Sequence, residues 1–263
     1  ILIGEELSKK ILLGHILERI CAFILHETDK NKKNSMIENL YIQMTDGRHG
    51  STSTPPEAIR AIRAIEIQNE VRFFGIDSYV TFDVEDGKLG EQAGNLITRV
   101  ADEIAKYDPA VLFIPAESEG HPDHRAANNI GHAAYEIVRQ KNPDLAEMRY
   151  IIWLFPFKEN KPSPLEQVLL VDITKQFQRK MDVMHLHASQ EVEVKGGYSA
   201  LSGLFNGYLA RAFQNYPAGT AEQAEVIAIT KITGGSKLLV SDLESVTDVT
   251  KMFMGRKDAG IEA

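Results

Sequence analysis

Ala110-Val111-Leu112-Phe113-Ile114-Pro115 is an apolar run that leads, after a short connection, to Gly120-His121-Pro122-Asp123-His124. Downstream, Ala126, Ile130, Ala133, Ala134 and Ile137 recur at helical spacing, so the unit reads strand, loop, helix. Two imidazoles and a carboxylate thereby stand at a strand-to-helix connection, where open α/β sheets bind ligands. The residue types point to metal or acid–base chemistry. They also suit a plain helix start, with Pro122 at the first helical position, Asp123 favoured by the helix dipole and the histidines solvated.

Outward from this unit the pattern repeats. Asn39 to Met44 has the length and apolar content of a strand and ends at Thr45-Asp46-Gly47. A helix is expected from Pro56 to Phe74, with Ile59, Ile62, Ile65 or Glu66, and Asn69 along one side and Gly75 as its stop. Tyr79 to Phe82 reads as a strand, Asp83 to Gly90 as a polar loop, and Glu91 to Tyr107 as a helix. Tyr150 to Phe155 and Gln167 to Val171 read as strands flanking a proline-bearing loop, and Thr174 to Ser189 as a helix. Strands alternating with helices predict an α/β fold, a Rossmann-like, mostly parallel sheet with helices on both faces. The stretch from Thr230 onward gives no clear pattern.

The 263 residues are 43% hydrophobic, enough for a substantial core, and are read as one domain over 1–263. A net charge of −8 with scattered Lys and Arg argues against nucleic acid as a partner. The stretch to about Leu25 is apolar, but Glu5, Glu6, Lys9, Lys10, Glu18 and Arg19 interrupt it, so an amphipathic helix is expected rather than a transmembrane segment. Cys21 falls on the apolar side of that helical pattern, where a buried thiol is expected rather than a reactive one. With one cysteine and no recognisable secretion signal, a cytoplasmic setting is expected. The chain starts Ile1-Leu2-Ile3-Gly4 without a methionine, which fits a processed or partial reading frame.

Several fragments, in order, resemble the LmbE-like N-deacetylases that include the GlcNAc-phosphatidylinositol deacetylases. They are Thr45-Asp46-Gly47, Arg63 with Glu66, Phe74-Gly75, Asp86-Gly87, Gly120-His121-Pro122-Asp123-His124, Val171-Asp172-Ile173-Thr174 and His187-Ala188-Ser189-Gln190, with Glu225 as a weaker match. The resemblance spans residues 39 to 229. It implies an LmbE-like fold and a zinc-dependent hydrolase, acting on a linear amide, that removes acetyl from an N-acetylglucosamine-type conjugate; another divalent metal can replace zinc at mixed His and carboxylate ligands. One departure stands out. The family's His-Pro-Asp-Asp-Glu motif, which follows its first strand, is absent, and Ile1-Leu2-Ile3-Gly4 looks like what normally follows it. The expectation is a chain whose first strand and first metal motif are missing and which is inactive as written.

By the same resemblance His124 is a metal ligand, and His121 is a catalytic group placed to stabilise an oxyanion or protonate a leaving nitrogen. Asp123 is expected to orient His121 and favour its charged form. Arg63 resembles a substrate-contacting arginine, against a plain ion pair with Glu66 or Glu70. Asp46 is expected as a partner behind the metal ligands, against a simple turn residue. His187 is expected near the site as a substrate contact, against a structural hydrogen bond. His15, His26, His49, His132 and His185 show no partner pattern, and Trp153, Phe155 and Phe157 read as core, with a sugar-stacking platform as the less favoured role. Two other readings remain open: a non-catalytic carbohydrate-binding homologue, and a zinc amidase on a non-sugar amide. A nucleotide-binding Rossmann domain is disfavoured, because no Gly-x-Gly-x-x-Gly follows a strand and no phosphate loop is present.

Overall fold

The computed structural model describes residues 26–27, 37–38, 40–109, 111–115, 121–143, 145–150, 167–193, 197–212, 222, 224–231 and 247–248. Strand β1 (Leu40–Thr45) leads through helix α1 (Pro56–Phe74) to β2 (Ser78–Val84), which pairs with it in parallel, Tyr41 opposite Tyr79. A second such unit follows. Helix α2 (Ala93–Tyr107) leads to β3 (Val111–Pro115), and α3 (Pro122–Arg139) carries the chain to β4 (Ala146–Tyr150), again parallel, Phe113 opposite Met148. Next come β5 (Gln167–Asp172), α4 (Phe177–Leu186), the single turn α5 (Ala188–Glu191), α6 (Tyr198–Ala212) and β6 (Ala224–Lys231).

Parallel pairing does not extend through the C-terminal strands. Strand β6 inserts between β4 and β5 and runs antiparallel to both, and the two-residue strand Thr247–Asp248 adds antiparallel to β5. The two parallel pairs are each built by a helical crossover, which parallel pairing requires. The C-terminal strands are joined differently: α6 packs on the strand that follows it, and that strand returns along β4 and β5 in reverse. His26–Glu27 and Ile37–Glu38 form a further antiparallel bridge.

Helix α1 begins with Pro56, whose missing N–H costs nothing in the first turn, and stops at Gly75. Gly75 takes φ 65°, donating its N–H to Arg72 O, and Ile76 N–H reaches Val71 O, which closes the helix end. Its packed face differs from the one the isoleucine spacing predicts. Ile62 and Ile65 are exposed, whereas Ile59, Arg63, Glu66, Ile67 and Glu70 are buried. The charged side wins because each of these three polar heads meets a partner, as described below, and a buried charge is tolerated only on that condition.

The main core lies where α2 and α3 pack together on the strands. Leu96, Val100, Ala101 and Ile104 of α2 and Ala126, Ala127, Ile130, Ala134, Tyr135 and Val138 of α3 close over Leu40, Ile42 and Met44 of β1 and over Leu112 and Ile114 of β3. Each fully buried aliphatic side chain there contributes about 1.5–3 kcal/mol. Gly131 lets α3 approach β3, since a Cβ at that position would overlap Ile114 Cγ2. Away from this core, α4 packs on α1, with the Arg179 guanidinium 4.8 Å from the Phe73 ring centroid and its Nη2 donating to Phe73 O. Lys180, also buried, donates to Asn206 of α6. The residues read as an N-terminal helix, the aromatic group Trp153, Phe155 and Phe157, and the tail beyond Lys231 lie outside the described residues, apart from Thr247–Asp248.

Candidate active site

The carboxyl ends of β1, β2 and β3 meet at one edge. Asp46, directly after β1, is 4% exposed; its own N–H donates to Val84 O, and its Oδ1 accepts from Arg48 N and from Asp86 N at 3.0 and 3.2 Å. Its Oδ2 takes Arg48 Nε at 2.6 Å, with Arg60 Nε 3.6 Å away. Asp86, after β2, accepts from His49 N–H. Asp46 therefore ties two strand ends and the loop between β1 and α1 into one rigid rim.

His121 is the N-cap of α3, with φ −79° and ψ 135°, and its Nδ1 accepts from the Asp123 main-chain N–H at 3.3 Å. With Nδ1 used as an acceptor, a neutral ring carries its proton on Nε2. The Asp123 carboxylate does not hold that ring through a hydrogen bond. It is 3% exposed and accepts from Gly87 N at 2.6 Å and from Leu89 N at 3.1 Å, bridging α3 to the turn after β2. Burial pushes the Asp123 carboxyl above its ordinary value, and the two N–H donors pull the other way. His124, one residue on, is 2% exposed, and its ring centroid lies 5.2 Å from that of His121. Asn128, a turn further, donates to Pro115 O at 2.7 Å and fixes α3 against the end of β3.

These residues test a metal site. A catalytic zinc takes three protein ligands and an open position. Among the described residues no three His, Cys, Asp or Glu side chains converge for a metal, and the carboxylates of Asp46 and Asp123 already accept main-chain and arginine donors. The described residues thus offer imidazole nitrogens at His121 and His124 and do not by themselves complete a zinc site.

A second polar cluster borders the first. Arg63 is buried and donates to Gly47 O at 2.6 Å and Gly50 O at 2.9 Å, so it props the 47–50 loop from beneath. A Cβ at Gly50 would displace the guanidinium from this position. Glu66 accepts from Ser189 N at 2.8 Å and Ser189 Oγ at 2.7 Å, and Glu70 lies 2.9 Å from His187 Nε2. The Arg-x-x-Glu helix and the His187-Ala188-Ser189-Gln190 segment, far apart in sequence, are therefore docked on each other. His187 breaks the predicted 174–189 helix at this docking point. Glu193 extends the cluster, accepting from Ser51 Oγ and from Thr52 N and Oγ1, the latter two at 3.1 Å; these bonds hold its carboxyl below its ordinary value. Sequence reasoning missed Glu193, and no local signal marks a partner 141 residues away. The 46–54 loop is what joins the two clusters, through His49 to Asp86 on one side and through Gly47, Gly50 and Thr52 to Arg63 and Glu193 on the other.

A histidine-bearing polar rim at the carboxyl ends of parallel strands defines the class, an α/β domain with its site at the sheet edge. Residues 22–135, which include that rim, match the family model for PIG-L, GlcNAc-PI de-N-acetylase. A diacetylchitobiose deacetylase of Thermococcus kodakarensis is 26% identical over 195 residues, covering 69% of this chain and 70% of the relative. The fold is shared with the N,N'-diacetylchitobiose deacetylase of Pyrococcus horikoshii, solved with an inhibitor: TM-score 0.55 at 20% identity, over 77% of this chain and 78% of that one. It is also shared with the 4-carboxy-2-hydroxymuconate hydratase of Pseudomonas putida KT2440: TM-score 0.54 at 15% identity, over 72% and 82%. No helix among the described residues is long and apolar enough to cross a membrane.

Proposed function

We propose that this protein is a metal-dependent N-deacetylase that hydrolyses the acetyl amide of an N-acetylglucosamine-type conjugate. The observation that carries this reading is the His121/His124 pair at the entry of α3, inside the segment that matches the deacetylase family. The diacetylchitobiose deacetylase relative supports an amino-sugar substrate. Zinc, when bound, supplies a polarised carbonyl and a water near its deprotonation point. His124 is the side chain this chain offers to such an ion, and further donors have to come from outside the described residues.

The chain's own residues then divide the remaining work. His121, anchored through Nδ1, has its Nε2–H available as a hydrogen-bond donor to a developing oxyanion. Asp123 keeps the 87–89 turn against α3, beside the two histidines. Arg63 and His187 act on substrate by holding the 47–50 loop and the 187–190 segment in place. The shared fold with a hydratase means that fold alone does not choose the reaction.

A second reading is a carbohydrate-binding homologue without catalysis. Calorimetric titration of the natural gene product with Zn²⁺, followed by an acetate-release assay on N,N'-diacetylchitobiose, separates the two. Zinc binding with acetate release supports the deacetylase. Saturable sugar binding with no acetate released, zinc present, supports the binding protein and refutes the enzyme.

A further inference from the structure

Strand β2 does not run straight into the site. Its pairing with β1 keeps step through Gln43 opposite Thr81 and then slips, so that Thr45 stands opposite Val84. Two steps along β1 are matched by three along β2, which is a bulge holding one extra residue. Asp83, within it, takes φ 52°. That is the left-handed region, which residues other than glycine seldom enter and which aspartate and asparagine tolerate best. Among the described residues the other non-glycine with positive φ is Asp108, and it has an ordinary reason, since it closes the end of α2 through its N–H to Ile104 O. Asp83 ends no helix. A strained residue inside a strand persists only where its surroundings over-determine it, and such residues gather at functional sites.

Two arginines from different helices hold this bulge. Arg60 of α1 donates from Nη2 to Asp83 Oδ2, and its Nε lies 3.6 Å from Asp46 Oδ2. Arg99 of α2 places its guanidinium 4.4 Å from the Phe82 ring centroid. The Asp83 N–H donates to Thr81 Oγ1 at 3.1 Å, within the bulge itself. The Arg60 and Asp83 side chains are 39% and 48% exposed, so their pair adds little to overall stability. Its effect is directional. One extra residue turns everything after it to the opposite face of the strand. From there each contact leads toward the histidines: Val84 O accepts from Asp46 N, Asp46 Oδ1 accepts from Asp86 N, and the Gly87 and Leu89 N–H groups hold the Asp123 carboxylate between His121 and His124 in the chain.

We infer that Arg60 and Asp83 are positioning residues for the site. Together they hold a left-handed bulge in β2 that aims the 85–89 turn at the entry of α3, and so set where the His121 and His124 rings stand. They act through the carboxylates of Asp46 and Asp123. The inference concerns the geometry of the histidine pair and holds whichever reaction the site performs.

Imidazole and amide NMR of the natural gene product and four variants tests this. Arg60→Ala removes the arginine that holds the bulge, and Asp83→Val adds a β-branched side chain that resists positive φ. Both should speed exchange of the Gly87 and Leu89 amides by on the order of 10-fold and displace the His121 and His124 ring signals. The two substitutions remove opposite charges, so displacement in the same direction reports moved rings rather than an altered local field. Asp83→Asn, which tolerates the left-handed region and keeps an acceptor for Arg60, should leave both readings as in wild type. Val138→Ala opens a cavity in the core near the other end of α3 and is the control for a general loss of stability. Three results overturn the inference: ring signals left in place by Arg60→Ala and Asp83→Val, displacements of opposite direction in the two, or the same displacements and exchange rates in Val138→Ala.

Discussion

Asp123→Ala removes a carboxylate that accepts two main-chain donors across an inter-element boundary. The Leu89 N–H is buried and loses its acceptor outright; the Gly87 N–H is partly buried and regains some hydration. An orphaned buried donor costs about 1–3 kcal/mol, so the two together suggest roughly 2–5 kcal/mol. The wild-type carboxyl already carries a burial penalty, visible as its raised pKa, and removing that penalty offsets part of the loss. We expect a net destabilisation of about 2–4 kcal/mol, or a fall in Tm of roughly 5–15 °C for a chain of this size. Urea unfolding in the presence of a chelator measures it without a contribution from bound metal. Amide exchange at Gly87 and Leu89 should accelerate together. If Asp123 acted only as a carboxylate at a helix start, the loss would stay within about 1 kcal/mol and the exchange of those two amides would not change. That result would refute the bridging role.

His121→Asn should keep the N-cap, leaving stability within about 0.5 kcal/mol, while abolishing the Nε2–H donor and lowering kcat far more than it changes KM; His121→Ala should also lose about 1 kcal/mol of stability. Glu66→Ala orphans the Ser189 N–H and hydroxyl and should cost about 2–4 kcal/mol, with proteolytic sensitivity appearing in the 187–193 segment. Glu193 has its folded pKa depressed by its hydroxyl and N–H donors, so its contribution is present above the unfolded value and is lost as pH falls through the lower folded one. Thr52 amide exchange, corrected for intrinsic rate, should rise over that acid range and lose the dependence in Glu193→Gln.

The sequence made much of the frame readable because local chemistry set it. Pro56 and Gly75 bound α1 where expected, and the apolar run before His121 is the strand that delivers the site. His121 and Asp123 were legible as residues of the helix entry, but the atoms they use were not. That Asp123 turns its carboxylate to Gly87 and Leu89, and gives His121 only its N–H, depends on where the β2 turn lands. The inward face of α1 was legible only in part, for a related reason. The spacing placed Ile59, Ile62, Ile65 or Glu66, and Asn69 on one side; Ile59 and Glu66 are buried but Ile62 and Ile65 are not, and only the distant partners Ser189 and His187 make burial of Glu66 and Glu70 affordable. The antiparallel insertion of β6 likewise follows from long-range pairing that no window of sequence contains.

The docking of His187 and Ser189 on α1 joins residues 117 and 123 positions apart, against 36 for the Gln43–Tyr79 bond between β1 and β2. Closing the longer loop costs about 1 kcal/mol more in chain entropy. The first two strands can therefore form early, while the 187–193 segment arrives late and is held by a handful of polar bonds rather than by the main core. If those polar bonds are its main anchor, the segment is expected to open at lower cost than the main core, with faster native-state amide exchange at Ser189 than at Leu112.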